Sequence, residues 1–289
     1  MLRALVNEIV LIDSNTALAE AEAADIADAN ALARPARIWA GNYSDAAAAT
    51  IAIITAGAAT HGDESRLSVL SRSAVIVGEC VDSLIHAGFA GIILVAANPV
   101  DLMAHIAFRK SGLNAQSVIG TGTLLDSSRL RQALAAKLDV APGALEGLVL
   151  GEHGDSEVAA FSTVRVGGLI FEEFTETGPH LDYDVIAGEV RDAGYQIVSG
   201  KGYTSFGIAT AVVRICEAII RNERHVLPVS TLLTGQFGIR DVFLSLPCIL
   251  GSGGVERILR PALTVDEQSA LYRSAEVIRQ ALATLDAES

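Results

Sequence analysis

Five short apolar runs, spaced by stretches of helical periodicity, constrain this chain most. Residues 8–13, 36–40, 50–55, 91–95 and 117–120 each read as a strand. Residues 15–32, 65–86 and 124–138 read as helices between or after them. Strands that are apolar throughout, rather than at alternate positions, are covered on both faces. Alternation with helices makes them a parallel, doubly wound α/β sheet. Such a sheet binds ligands at the carboxyl ends of its strands.

Those ends hold Asp13, Ala56-Gly57-Ala58, Ala97-Asn98-Pro99, Gly120-Thr121-Gly122 and Gly151-Glu152-His153. The polar and glycine-bearing oddities of the first half thus fall on one edge. Gly151-Glu152-His153-Gly154-Asp155 places a histidine between glycines, where backbone approaches a ligand closely, with carboxylates that can set its tautomer and raise its pKa. A glycine-rich turn with a solvated histidine is the plain alternative. Asp126 and Arg129 share one helical face at the mouth of the sheet, or form a surface pair. Arg66 follows a polar stretch suited to a mobile loop, or simply starts a helix at the surface. Asp13 suits a ribose-binding acid or an ordinary helix cap. Gly120-Thr121-Gly122 is no phosphate loop, because Leu125 stands where the third glycine belongs; it is a tight turn into a helix. Gly251-Ser252-Gly253-Gly254 reads as a hairpin turn.

At 289 residues and a net charge of −13, with no basic block, nucleic acid and anionic membranes are not expected partners. Cys80, Cys216 and Cys248 are far apart and read as core thiols in a reducing compartment, so cytoplasm is the default. The longest apolar run, near Ile208, carries Arg214 and Glu217 and is a buried helix, not a span. His61, His86, His105, His180 and His225 lack metal-ligand spacing, and no metal is expected. Past Asp155 the pattern becomes α+β. Residues 157–168 are mixed strand, 181–220 mostly helix with a break near 199–202, 225–232 and 241–246 antiparallel strands, and 264–285 an amphipathic helix entered through Thr264. This places a doubly wound domain at 1–150 and an α+β domain at 151–289.

Ala56-Gly57-Ala58, Gly62-Asp63-Glu64-Ser65-Arg66-Leu67, Asn98-Pro99-Val100-Asp101, Leu125-Asp126-Ser127-Ser128-Arg129, Gly151-Glu152-His153-Gly154-Asp155 and Lys201-Gly202-Tyr203-Thr204-Ser205-Phe206-Gly207 occur in this order. Together they resemble the L-lactate/malate dehydrogenase family from Glu8 nearly to the end, and its bacterial L-lactate branch more closely. The resemblance implies a Rossmann-type fold with a dinucleotide-binding domain at 1–150 and a substrate domain at 151–289, NAD as cofactor, a small 2-oxo or 2-hydroxy acid as substrate, and a homo-oligomer, dimer or tetramer. It implies His153 as acid and base, Asp126 as its partner, and Arg66 as the loop residue that polarises the carbonyl. Substrate would meet Thr60, Asn98, Arg129 and Thr204. Cofactor would meet Asp13, Tyr43, Gly57, Ala58, Ala96, Asn98, Thr121 and Ile208.

Three departures stand out. The family's first strand and Gly-x-Gly-x-x-Gly turn are not found ahead of Asp13, where Met1 to Val6 match only the tail of the first helix. That strand is central, so its lack leaves inner edges unpaired; the expectation is a sequence that starts late, or a form that binds NAD weakly. Thr60 replaces the family's glutamine or arginine and offers no charge to a second carboxylate, which disfavours malate and leaves room for a bulkier 2-oxo acid. Gly62-Asp63 replaces its Pro-Gly. Arg131 matches one arginine of the family's fructose-1,6-bisphosphate site, but Glu146 replaces its histidine, so activation by that sugar phosphate is not expected. The readings carried forward are an NAD-dependent L-lactate dehydrogenase, a dehydrogenase for malate or a bulkier 2-oxo acid, and an inactive fragment acting only as a partner subunit.

Overall fold

The computed structural model describes residues 5–32, 35–58, 66–175 and 181–288. In chain order the elements are β1 (Glu8–Leu11), α1 (Thr16–Asp28), β2 (Arg37–Ala40), β3 (Ile51–Ile54), α2 (Arg66–His86), β4 (Ile92–Val95), α3 (Val100–Ser111), β5 (Val118–Gly120), α4 (Leu124–Leu138) and β6 (Leu145–Leu150). Then follow β7 (Val158–Val166), β8 (Leu169–Ile170), α5 (Phe171–Thr175), α6 (Tyr183–Lys201), α7 (Phe206–Ile220), β9 (His225–Thr234), β10 (Arg240–Gly251), β11 (Gly254–Ile258) and α8 (Val265–Glu288).

The parallel strands form as the apolar runs predict. All four residues of β4 are buried, and they feed two different cores. Ile93 and Val95 face Val77 and Val81 of α2, Met103 of α3 and Ile278 of α8. Ile92 and Leu94 face Ile215 and Ile219 of α7. The two-residue period of a strand is what divides them. At roughly 1.5–3 kcal/mol for each large apolar side chain taken out of water, this two-sided burial is the main force holding the helices to the sheet.

The sheet is mixed. Parallel β3, β4 and β5 continue into antiparallel β9, β10 and β11. The join is one residue pair, Gly120 with Ser230. A Cβ on Gly120 would lie 2.9 Å from that of Ser230, so glycine is what lets β9 close up there. Strands placed by the sequence in the second half thus extend the sheet of the first. β10 and β11 meet as the expected hairpin, with Gly251 opposite Gly254. β6, β7 and β8 form a separate antiparallel sheet covered by α4 and α6.

β1 pairs in parallel with β2 in a two-stranded sheet of its own, and β3 pairs with β4. Among the described residues no strand bridges β1 and β3.

The helix ends follow local chemistry. Asn15 caps α1, its side chain accepting from the Leu18 amide at 3.2 Å. Thr264 and Glu267 bond reciprocally at the start of α8, the side chain of each reaching the other's amide. α6 ends at Gly202, whose φ of 86° suits glycine, near the predicted break. The sequence reading places no helix at 100–111. α3 forms there because Val100, Met103, Ala104 and Ala107 make one buried face.

Candidate active site

β6 runs into Gly151, whose φ is 89° and whose absent side chain leaves room for Ser274 of α8, 2.7 Å from an ideal Cβ. Two buried side chains then fix the turn. Ser274 Oγ accepts from the Glu152 amide at 2.7 Å, and Asp101 Oδ2 accepts from the His153 amide at 2.8 Å. Asp101 Oδ1 also accepts from Ser230 Oγ at 2.5 Å. Backbone held by three elements cannot swing, so the imidazole is pre-positioned.

The side chain of His153 turns toward α4. Its Nδ1 is 2.6 Å from Oδ2 of Asp126. The other oxygen of Asp126 accepts from Nη1 of Arg129 at 2.7 Å. Asp126 sits in the first turn of α4, where the exposed amides of a helix favour a carboxylate, and is 1% exposed. A buried carboxylate is tolerated only when paired, and here two donors pair it.

The ionisation of these groups follows. Burial disfavours the imidazolium of His153, but the hydrogen bond and charge of Asp126, with Asp101 and Glu157 behind it, carry its pKa up to about 9. Burial acts to raise Asp126, and the bond and charge of His153, then Arg129, outweigh it and hold it below its ordinary value. Burial raises Asp101 to about 6 against the opposing bonds from Ser230 and His153. His153 is therefore protonated at neutral pH, and Nε2 is the nitrogen left for a ligand.

The turn beneath the site is equally constrained. Gly122 has a φ of 54°, and a Cβ there would meet the Ser230 amide nitrogen and Ser245 Oγ at 2.5 Å. Thr123 donates to the Val149 carbonyl at 2.5 Å, tying the start of α4 to β6. The sequence reading of this segment as an aiming turn holds.

A cleft of about 850 Å³ opens over the pair. Ala96, Asn98, Thr121, Asp126, Arg129, His153, Thr204 and Ile208 line it together. Asp13 lies beyond β1, its Oδ1 accepting from the Asn15 amide at 2.8 Å. Tyr43 packs against the core with its hydroxyl toward Cys80; burial first, then Cys80, raises its pKa. Gly57 and Ala58 follow β3, and the Ala58 amide donates to Ser73 Oγ at 3.1 Å. These four do not line the cleft. Thr60 lies outside the described residues, and Arg66 is described only as the first backbone position of α2. Arg131 donates to the Ser127 carbonyl at 3.2 Å; burial lowers its pKa and nearby Glu146 opposes that.

Sequence reasoning assigned no role to Asp101, Glu157, Arg191, Gly194, Tyr195 or Ser274. Glu157, Arg191, Gly194 and Tyr195 line the cleft, the last three from α6. A Cβ on Gly194 would lie 3.7 Å from both Nη atoms of Arg129, so the small residue gives the guanidinium its space. Tyr195 donates to Asp155 at 2.8 Å. Asp101 needed α3 to be recognised, Arg191, Gly194, Tyr195 and Ser274 needed the packing of α6 and α8 onto the site, and Glu157 needed the turn ahead of β7.

Comparison with known proteins agrees with this geometry. Residues 1–120 match the model of the lactate/malate dehydrogenase NAD binding domain. Residues 123–289 match that of the lactate/malate dehydrogenase alpha/beta C-terminal domain. The chain is 42% identical over 279 residues to an L-lactate dehydrogenase of Priestia megaterium, covering 96% of this chain and 88% of that one. It is 40% identical over 286 residues to an L-lactate dehydrogenase of Moorella thermoacetica, covering 97% and 90%. Among solved structures, the ligand-bound minor L-lactate dehydrogenase of Enterococcus mundtii superposes with a TM-score of 0.94 at 38% identity, covering 99% of this chain and 91% of that one. MGS-M5, a lactate dehydrogenase from a deep-sea metagenome library, gives a TM-score of 0.96 at 36% identity, covering 99% and 92%.

Proposed function

The chain belongs to the lactate/malate dehydrogenase family, and on that premise we propose that it is an NAD-dependent L-lactate dehydrogenase, interconverting pyruvate and (S)-lactate. The observation that carries the reading is the line of His153, buried Asp126 and Arg129, which sets an acid and a carboxylate clamp side by side in one cleft.

The cleft fits a nicotinamide. Ala96, Ile208 and Ala211 give it an apolar wall beside the polar Asn98, Thr121 and His153. Ala96, Asn98, Thr121 and Ile208 would hold the ring, and Asp13, beyond β1, the ribose hydroxyls, with Tyr43, Gly57 and Ala58 lining the rest. When bound, NAD(H) supplies or accepts the hydride.

The chain's own residues do the remainder. His153 gives the proton on Nε2 to the substrate carbonyl oxygen, and in the reverse direction takes the hydroxyl proton. Asp126 keeps the imidazole in one orientation and charged until that moment. Arg129 clamps the substrate carboxylate with two parallel bonds, and Asn98 and Thr204 fix the remaining face. Arg66 would polarise the carbonyl as negative charge develops. Thr60 would offer no charge to a second carboxylate, which disfavours malate.

A homo-oligomer accounts for the apolar side chains left open on the described surface of α6 and α7, with Phe206 at 83% exposed. Cytoplasmic residence suits its three free thiols, and no helix among the described residues is long and apolar enough to cross a membrane. Rates of NADH consumption on pyruvate, oxaloacetate and a branched 2-oxo acid test the function: pyruvate should give the highest kcat/KM, and a preference for oxaloacetate would contradict it.

A further inference from the structure

A second carboxylate shares the His153 pocket. Glu157 leaves the histidine turn just before β7 and points into the cleft. One of its carboxylate oxygens lies within 4.8 Å of an imidazole nitrogen of His153 and of an oxygen of Asp126. Its Oε1 is buried and has no hydrogen-bond partner among the described residues. A buried oxygen without a partner is costly to keep charged, and needs a reason.

A metal ion is a poor reason. Both oxygens of Asp126 are already taken, by His153 and Arg129, and the guanidinium would oppose a cation there.

We propose that Glu157 is a positioning residue for proton transfer: a second, reserve carboxylate beside the imidazole whose negative charge, once formed, holds the proton on His153. The inference rests on reading His153 as the acid. The groups facing Glu157 are Asp126 and Arg129 of α4, His153 of the turn, and Arg191 of α6. Those facing His153 are Asp126, Asp101 of α3, and Glu157. Burial first, then the charge of Asp126, raises Glu157 to about 8, against the opposing charges of His153, Arg129 and Arg191. Burial thus favours the uncharged form of Glu157, which does not repel an anionic substrate at Arg129. As the pH climbs, loss of the Glu157 proton puts a negative charge beside the imidazolium and delays the loss of its proton. The two protons leave as a coupled pair, with the second step moved upward.

The test is the titration of His153 itself, followed by proton–nitrogen NMR of the imidazole in the ligand-free protein, with the resonance assigned through H153Q. Wild type, E157Q and E157D are compared. In E157Q the imidazole should titrate about half a unit to two units lower, the range that a unit charge near 5 Å gives between watery and protein-like screening. E157D, which keeps a carboxylate, should fall between the two. The alkaline limb of kcat/KM for pyruvate reduction should move down with it. Identical His153 titration in folded E157Q and wild type would overturn the inference. A shifted titration in a protein that turns over no 2-oxo acid would uphold the role of Glu157 and count against the proposed function instead.

Discussion

Nδ1 of His153 lies 2.6 Å from Oδ2 of Asp126, on a carboxylate that is 1% exposed. The pair fixes both the direction of the ring and its charge. D126N keeps the shape but removes the charge that raises the histidine. The alkaline limb of the pH profile for pyruvate reduction should move down, and kcat/KM at neutral pH should fall by roughly 10²–10⁴-fold, the range of a lost general acid. Circular dichroism should remain that of the wild type. A full-rate D126N enzyme would break the link between this bond and catalysis.

Arg129 gives one nitrogen to Asp126 at 2.7 Å and has space beside Gly194 for the rest of its fork. Lysine can neutralise Asp126 but cannot present two parallel donors. R129K should lose about 10²-fold or more in kcat/KM for pyruvate, since hydrogen bonds to charged groups are worth roughly 1.5–3 kcal/mol each. The loss should appear mainly in KM. An unchanged KM would place the substrate carboxylate elsewhere.

Stability should fall as solutions become alkaline. His153 is raised to about 9 from 6.5, so its contribution is complete below 6.5 and lost as pH rises through 9. Glu157, raised to about 8 from 4.5, binds its proton more tightly in the folded state and acts in the same sense between those values. Asp126, held below its ordinary 3.8, works oppositely, supporting the fold above that value and failing in acid. The melting temperature should decline from pH 7 to 9, and the decline should be shallower in H153Q. A rise over that interval would reverse the assigned protonation.

Gly122 tests the turn under the site. G122A would put a Cβ 2.5 Å from the Ser230 amide nitrogen on backbone already at a φ of 54°. Strain and displacement together should cost about 2–4 kcal/mol, lowering the melting temperature by about 5–10 °C. Scanning calorimetry reads it directly, and an unaltered transition would mean that β9 gives way freely.

Much of this was legible in the sequence, for reasons that differ between elements. β4 announced itself because a strand buried on both faces must be apolar at every position. Gly120-Thr121-Gly122 was legible as a turn because Leu125 bars a phosphate loop, and His153, Asp126 and Arg129 because their residue types and positions converge on one sheet edge. The join of β5 to β9 was not, since a single pair, Gly120 and Ser230, carries it across more than a hundred residues. α3 was hidden because it begins directly after Pro99 and carries Asp101 in its apolar face. Glu157 looked like one more polar residue of a mixed strand; only the turn of the chain brings its carboxylate to His153.

The most direct measurement is an NADH fluorescence titration of this chain, followed by addition of pyruvate, in wild type and H153N. H153N should bind NADH as the wild type does. Pyruvate should then consume the cofactor in the wild type, and H153N should do so slower by roughly 10²–10⁴-fold. A folded wild-type chain that neither binds NADH nor oxidises it with pyruvate would contradict the assignment of dehydrogenase activity, and an H153N protein at the wild-type rate would contradict the role of His153.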